Sequence, residues 1–222
     1  MLLATRSVGK LRELAALFAD AGLSVETLAD AEVEPAMEEE ALEAYETFEQ
    51  NALAKARYFA ERTGRLVVAD DSGLCVDALD GRPGVRSKRW SGRQDLDGKA
   101  LDDVNNAWLL RELNAAVGRG RTERTAAYVC AAAAVWPDER GGYGHLVAMG
   151  TSDGVILESP RGEGGFGYDP YFSSLLLEGR TMAEVSREQK AAVSHRGAAV
   201  RSLLALLDTR GVLDQVARSQ AK

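Results

Sequence analysis

The segment Leu66-Val67-Val68-Ala69-Asp70-Asp71-Ser72-Gly73 joins an apolar run to two adjacent carboxylates. The apolar run predicts a short buried strand, and the Ser-Gly pair after the carboxylates predicts a turn. Neighbouring carboxylates repel each other, and burial raises their pKa values unless a cation lies close by. The pattern therefore indicates either a divalent-metal or acid-base site, or a solvated turn at the end of a strand.

Three other segments carry polar groups that suit a nucleotide. The chain begins with a short strand, a polar turn and a helix around Leu2–Lys10, an arrangement that can bind an anion. A glycine-rich loop over Gly162–Pro170 contains two aromatic residues and a carboxylate. Lys190 precedes Ser194–Gly197, which holds a histidine and an arginine. Together these segments supply cations for phosphates, carboxylates for a metal and a stacking surface, the combination that a nucleoside triphosphate requires.

The composition favours one cytoplasmic domain over residues 1–222. A chain of 222 residues with 45% hydrophobic residues can bury a full core, arranged as two lobes. The net charge of −7 and the lack of a basic run argue against nucleic-acid binding. The sequence shows neither a secretory leader pattern nor a long apolar stretch, so we expect no membrane contact. Cys75 and Cys130 lack metal-ligand spacing, as expected of free thiols in a reducing compartment.

Hydrophobic periodicity predicts helices and strands in no simple alternation. Helices are expected from Gly9 to about Gly22, from Thr47 to about Gly64, over residues 99–116 and over residues 194–208. Short strands are expected at residues 1–5, 24–28, 66–69 and 155–157, and long antiparallel strands at 124–136 and 145–151. Residues 30–46 are expected to form an acidic loop that passes into a helix start, residues 74–84 a hairpin or loop, and the tail after Val216 to be frayed. This order predicts a mixed α/β sheet with flanking helices.

The chain resembles the inosine triphosphatase family, the purine nucleoside triphosphate pyrophosphatases, over about Leu2–Leu207. The resemblance rests on Thr47–Ala52 with Lys55-Ala56, on Ala69–Leu74, on Gly164–Pro170 and on Ser194–Gly197, and it is specific because all occur in this order. It implies an elongated mixed sheet with two lobes around a central cleft, and a homodimer. It also implies hydrolysis of dITP, ITP and XTP to the monophosphate and pyrophosphate. Trp90 and Trp108 are candidates for either the dimer interface or the core.

The resemblance implies a Mg²⁺ site made of carboxylates. Asp71 is predicted to be the general base that activates water, with Asp70 in support and both near the metal. A family glutamate lies before the Thr-Phe pair at the position of Glu43, although the acidic run Glu38–Glu43 also fits a register shifted by one turn. All candidate ligands are oxygens, which favours Mg²⁺ over zinc.

The resemblance also implies contacts to the phosphates. Lys10 at the start of the first helix and Lys55 on the second are predicted to neutralise phosphate charge, with surface lysines as the alternative. The turn before Lys10 departs from the family pattern of Thr/Ser-Gly-Asn, so that Arg6 is expected either to contact phosphate or to point to solvent. The predicted contacts in this part of the chain are Thr5, Arg6, Ser7, Lys10 and Lys55, and Ser72 and Lys190 are predicted to contact the substrate as well.

The remaining candidates are predicted to recognise the base. His195 and Arg196 would donate hydrogen bonds to a purine 6-oxo group, whereas adenine presents a donor there. Phe166 and Tyr168 offer stacking faces, Gly167 lies between them, and Asp169 can accept a base N–H. The alternative is a packed loop and a helix cap.

Two other functions stay open at this point. Because Arg6-Ser7 alters the phosphate turn, the chain could be a nucleotide-binding or sensing protein with weak catalysis. It could also be a pyrophosphatase for a pyrimidine or modified nucleotide. Pyrophosphate release from dITP with Mg²⁺ tests the first alternative, and a panel of dITP, XTP, dGTP and dUTP tests the second.

Overall fold

The structure is a computed structural model and describes residues 1–138 and 140–214. The frayed tail predicted after Val216 lies outside the described residues. Six strands are β1 (Leu2–Leu3), β2 (Glu26–Thr27), β3 (Val67–Val76), β4 (Thr125–Pro137), β5 (Tyr143–Ile156) and β6 (Phe172–Ser174). The α-helices are α1 (Val8–Asp20), α2 (Phe48–Thr63), α3 (Gly98–Val117), α4 (Arg187–Val193) and α5 (His195–Thr209). A 3-10 helix over Met37–Glu43, here called the acidic segment, lies between β2 and α2.

The strands form one six-stranded sheet in the order β2-β1-β3-β4-β5-β6. β1 pairs in parallel with β2 and β3, where Leu2 lies opposite Glu26 on one side and Val67 on the other. At the other edge β5 pairs antiparallel with β6, with Gly154 opposite Ser174. The sheet thus contains both pairings, and the predicted mixed α/β class is confirmed.

The residues group into two compact units. The first contains Met1–Asp71, Cys130–Gly150 and the residues from Arg196 onward, and the second contains Ser72–Val129 and Thr151–His195. In the first unit Leu2 and Leu3 of β1 and Phe18 of α1 are fully buried. In the second unit, apolar side chains from β3, α3, β4 and the segment after β5 form one core cluster.

The helices near the site begin and end where their capping residues predict. The α2 helix starts after Thr47, whose hydroxyl accepts a hydrogen bond from the Gln50 N–H at 3.2 Å. It ends at Gly64, which has the left-handed conformation with φ of 64° that favours glycine. The α1 helix starts after Ser7, whose hydroxyl accepts from the Lys10 N–H at 3.5 Å. These caps fix Lys10 in the first turn of α1 and Lys55 in the middle of α2.

The turn predicted at Ser72-Gly73 is wrong, because β3 continues through these residues to Val76. The turn was expected because serine and glycine are common turn residues at the end of a strand. In the structure Asp70 instead has cationic partners inside the first unit, so the strand has no need to turn towards solvent. Over residues 74–84, where a hairpin or a loop was expected, the chain folds back with an antiparallel bridge between Cys75 and Pro83.

Several elements differ from those that the hydrophobic periodicity predicts. The strands expected at 145–151 and 155–157 are one strand, β5, and the strand expected at 24–28 shortens to Glu26–Thr27. In the acidic region, where a loop passing into a helix start was expected, the structure has the acidic segment, a 3-10 helix with no buried side chain. The short elements β6 and α4 were not predicted, since three or seven residues show too little periodicity.

Candidate active site

Asp70 lies at the centre of a buried charge cluster in the first unit. Its side chain is fully buried, and its Oδ2 lies 3.3 Å from the Lys10 Nζ and accepts from the Arg196 Nε at 3.1 Å. Arg196 is 2% exposed and also pairs through Nη1 with Glu13. Burial opposes ionisation of Asp70, but the charges of Lys10 and Arg196 outweigh it and hold the pKa of this carboxyl well below its ordinary value. The carboxylates of Asp70 and Glu13 outweigh the cost of burying Arg196 and raise its pKa.

Asp71 lies in a different environment from its neighbour. Its Oδ2 accepts a hydrogen bond from the Asn51 Nδ2 at 2.9 Å, and its Oδ1 lies 3.9 Å from the Lys55 Nζ. Burial raises the pKa of Asp71, and the nearby cations offset only part of that effect. A carboxylate with a raised pKa is a better proton acceptor than an ordinary aspartate.

Lys55 joins Asp71 to the acidic segment. Its Nζ donates to the Glu43 Oε1 at 2.8 Å, so Glu43 and Asp71 both lie within 4.0 Å of one ammonium group. Burial alone would lower the pKa of Lys55, but Glu43, Asp70 and Asp71 together raise it. The structure therefore brings two of the three predicted metal ligands, Glu43 and Asp71, to one ammonium group, while the third, Asp70, pairs with Lys10 and Arg196 in the same unit.

Asn51 is a site residue that the sequence reasoning missed. It is fully buried in α2, and besides Asp71 it binds the backbone of Tyr45, accepting from its N–H at 3.0 Å and donating to its carbonyl at 3.3 Å. A polar amide on the apolar face of an amphipathic helix was the available signal, because such a group is retained only when it is hydrogen-bonded.

The turn before α1 is organised by its own side chains. The Thr5 hydroxyl accepts from the Ser7 N–H at 3.2 Å, and Ser7 caps the helix. Arg6 binds another side chain: it donates to the carboxylate of Glu39 through Nε and Nη2 at 3.0 and 2.8 Å. The helix start and the Lys10 ammonium remain a suitable anion-binding arrangement.

A second cluster forms around Asp169 in the second unit. Its Oδ2 accepts from the Lys190 Nζ at 2.6 Å and from the Phe166 N–H at 2.8 Å, and its Oδ1 accepts from the Tyr128 hydroxyl at 3.4 Å. Lys190 also lies 4.8 Å from the centre of the Phe166 ring. Phe166 is 36% exposed, so its ring can present a stacking face to a ligand.

The glycine-rich loop is held by helix α3. The Gly167 N–H donates to the Asp102 Oδ2 at 2.7 Å, and the Asn106 Nδ2 donates to the Gly167 carbonyl at 2.9 Å. Burial raises the pKa of Asp102 despite this bond. Gly165 has a φ of +72°, and a Cβ there would collide with Asp169. Asp102 and Asn106 were not predicted, since nothing in the α3 sequence marks the loop as their partner.

Three predicted residues have other surroundings. Tyr168 is 4% exposed, belongs to the core of the second unit and donates its hydroxyl to the Ser87 carbonyl at 2.8 Å. His195 is 5% exposed, and its ring stacks on Tyr128 with centroids 4.6 Å apart. Ser72 is half-buried in β3, directly after Asp71.

The donor set fits a hard divalent cation. Among residues 1–138 and 140–214, no three or more His, Cys, Asp or Glu side chains are grouped so as to hold a metal ion. The pair Glu43 and Asp71 presents carboxylate oxygens to one shared cation. Mg²⁺ is commonly bound through one or two carboxylates together with substrate phosphates and water. The chemistry of these oxygens therefore suits Mg²⁺.

Known proteins resemble this chain over most of its length. The model of the Ham1 family matches residues 1–206. A dITP/XTP pyrophosphatase from Frankia alni is 48% identical over 211 residues, covering 93% of this chain and 96% of that protein. The dITP/XTP pyrophosphatase from Geobacillus kaustophilus is 45% identical and covers 91% of each chain.

Solved structures show the same fold. A HAM1 protein from Coxiella burnetii superposes with a TM-score of 0.76 at 34% identity, covering 94% of this chain and 98% of that one. A nucleoside-triphosphatase, also described as a dITP/XTP pyrophosphatase, from Mycobacterium abscessus superposes with a TM-score of 0.62 at 41% identity, covering 93% and 97%. Over the described residues, no helix is both long and apolar enough to cross a membrane.

Proposed function

This chain belongs to the Ham1 family, and from that premise we propose that it hydrolyses dITP, ITP and XTP to the monophosphate and pyrophosphate. Relatives named dITP/XTP pyrophosphatase align over more than nine tenths of the chain, which supports this substrate class. The observation that carries the proposal is the arrangement around Asp71, where a buried carboxylate, an amide and two cations lie within one unit.

Asp71 is assigned as the general base. Attack on the phosphate chain needs a water molecule that is oriented and deprotonated as it attacks. The carboxylate of Asp71 is oriented by Asn51, and burial raises its pKa, so it can hold a water and accept its proton. Asp70, whose charge is fully compensated by Lys10 and Arg196, is better suited to keep those cations in place than to accept a proton.

Mg²⁺ is assigned to Glu43 and Asp71, with Asp70, next to Asp71 in the sequence, in a supporting role. When bound, the ion neutralises charge on the phosphate oxygens and orients the substrate. Lys55 contacts both Glu43 and Asp71, so it keeps the two carboxylates together despite their mutual repulsion. The family supports a divalent metal in general, and the choice of Mg²⁺ rests on the all-oxygen donor set.

The triphosphate is assigned to Lys10, to the start of α1 with Thr5 and Ser7, and to Lys55. The two ammonium groups attract phosphate oxygens, and the N-terminus of a helix also favours an anion. In the second unit, the base is assigned to the ring of Phe166, to Asp169 with Lys190, and to His195. Arg196, which belongs to the first unit, is assigned as a further donor to the 6-oxo group on the family resemblance alone.

The test is a substrate panel with and without Mg²⁺. We expect the purified protein to release pyrophosphate from dITP, ITP and XTP, with much lower rates on dATP, dGTP and dUTP and no turnover after chelation. Release of inorganic phosphate instead would show that a different bond is cleaved. Binding of dITP without turnover at any divalent-metal concentration would favour the alternative of a nucleotide-binding or sensing protein.

We also propose a cytoplasmic homodimer, on the family resemblance alone. The chain has a mass of 23.8 kDa, so light scattering at micromolar concentration distinguishes a dimer of about twice that mass from a monomer. A measured mass of a single chain would refute the dimer and leave the proposed reaction unaffected.

A further inference from the structure

Arg6 departs from the family pattern, and its surroundings indicate why an arginine is useful there. The guanidinium forms a two-bond fork with the Glu39 carboxylate, at 3.0 and 2.8 Å, and its Nη1 donates to the Val33 carbonyl at 3.0 Å. Its Cζ lies 6.0 Å from the centre of the Phe59 ring. These contacts hold the planar guanidinium against residues 33–39 and against α2.

Glu39 links this fork to the acidic segment. Its Oε1 also accepts from the Ala36 N–H at 3.1 Å, so one carboxylate binds both Arg6 and the start of the segment. Arg6 lowers the pKa of Glu39, chiefly through their hydrogen bond, and Glu39 raises that of Arg6 in the same way. Both shifts agree with a stable ion pair.

The acidic segment depends on such side-chain contacts for its position. None of its residues is buried, so apolar packing does little to hold it. It is fastened instead by Arg6 at Glu39 and by Lys55 at Glu43, and Asn51 binds the backbone of Tyr45 just after it. Glu43 follows Glu39 by four residues in the same 3-10 helix, so the fork at Glu39 restricts where Glu43 can lie.

We infer that Arg6 is a positioning residue for the metal-binding carboxylate Glu43, and not a phosphate ligand. The fork fixes the acidic segment beside the turn that precedes α1, and the segment in turn presents Glu43 to Lys55 and Asp71. This inference rests on the proposed function for its kinetic consequence. The structural part, that Arg6 holds the acidic segment, is independent of any activity.

The experiment compares Arg6→Ala, Glu39→Gln and the double variant with Arg12→Ala, an exposed arginine in helix α1, as the matched control. Amide hydrogen exchange over residues 37–43 is the readout that needs no activity. We expect exchange to become about five- to tenfold faster in both single variants, the scale of a partly exposed charged fork. The double variant should be no faster than either single variant, because both remove one interaction.

The kinetic arm measures the Mg²⁺ activation constant and the KM for dITP at saturating Mg²⁺. Both single variants should raise the activation constant about five- to tenfold and leave the KM within twofold. A phosphate ligand would behave differently: Arg6→Ala would raise the KM even at saturating metal, Glu39→Gln would not, and exchange over residues 37–43 would stay unchanged. That result would overturn the inference.

The two arms separate this inference from the proposed function. If the parent protein hydrolyses none of the triphosphates, the proposed function fails and hydrogen exchange alone decides whether Arg6 holds the segment. If the parent protein is active but exchange and the activation constant are unchanged in both variants, the role of Arg6 is refuted and the proposed function stands.

Discussion

Asp70 and Asp71 are consecutive residues of β3, yet their pKa values shift in opposite directions. Burial opposes ionisation of both carboxyls. Asp70 has two cationic partners at 3.3 and 3.1 Å and is held ionised. Asp71 has an amide at 2.9 Å and a more distant ammonium at 3.9 Å, so the effect of burial prevails. Separate environments for adjacent acids are a common way to give them separate roles.

The first prediction concerns catalysis by Asp71. Asp71→Asn should lower kcat for dITP by roughly two to four decades, because the amide cannot accept the proton of the attacking water. The hydrogen bond with Asn51 can be kept by the new side chain, so the midpoint of thermal unfolding should change little. Turnover and unfolding are measured on the same preparation. A near-normal kcat would remove Asp71 from the proposed mechanism.

The second prediction concerns stability and Asp70. Asp70→Asn leaves Arg196 and Lys10 without their shared carboxylate in a buried site, and should lower the free energy of unfolding by about 3–5 kcal/mol. Urea unfolding of metal-free protein measures this. The matched control is Asp95→Asn, which breaks an exposed pair with Arg93 and should have no measurable effect.

The pH dependence of that loss follows from the sign of the shift. The pKa of Asp70 is lower in the folded protein than its ordinary value of 3.8, so its stabilisation is complete above that value and is lost as the pH falls. The stability difference between the parent protein and Asp70→Asn should therefore be constant above about pH 5 and narrow below it. A difference that widened on acidification would contradict the assigned ionisation state.

The third prediction concerns the hold of α3 on the glycine-rich loop. Asp102→Ala or Asn106→Ala should raise the KM for dITP about tenfold and change kcat little, because each removes a hydrogen bond to Gly167, next to the ring of Phe166. The control is Asp103→Ala, whose exposed carboxylate pairs with Lys99 on the same helix. Equal KM values in Asp102→Ala and Asp103→Ala would show that the loop does not depend on α3.

Local features of the fold were predictable, whereas contacts distant in sequence were not. The cap at Thr47 and the end of α2 at Gly64 depend on residues within one or two turns, so the sequence was sufficient to predict them. The course of β3 beyond Asp71 depends on Arg196, which is 126 residues from Asp70. A pattern read along the chain cannot show such a partner, and an unpartnered Asp-Asp pair is more favourable in a turn.

The candidate site shows the same division. Its motif residues were identified from the family resemblance, and the structure brings Glu43, Lys55, Asp70 and Asp71 into one cluster. Two of the residues that were missed are distant in sequence from their partners. Asn51 binds Asp71, 20 positions away, and Asp102 binds Gly167, 65 positions away. They position other residues, and their role becomes visible only when their hydrogen-bond partners are known.

The final prediction tests which part of the substrate each cation recognises. Lys10 pairs with Asp70 at the start of α1 and is assigned to phosphate, so Lys10→Ala should lower kcat/KM by a similar factor for dITP, XTP and dATP. Arg196 is assigned to the purine 6-oxo group, which dATP lacks. Truncating Arg196 to alanine would leave Asp70 and Glu13 uncompensated, so Arg196→Lys is the better variant, because it keeps the charge and loses the planar set of donors.

Arg196→Lys should therefore reduce the preference for dITP over dATP by roughly ten- to a hundredfold, since a hydrogen bond from a charged donor contributes about 1.5–3 kcal/mol. The preference is the ratio of the two kcat/KM values, measured at saturating Mg²⁺ for the parent protein and both variants. Lys10→Ala serves as the control, because it should leave this ratio unchanged while lowering both rates. If Arg196→Lys instead reduced both rates equally, the guanidinium would act only through its pairs with Asp70 and Glu13, and recognition of the 6-oxo group would rest with His195 and its neighbours in the second unit.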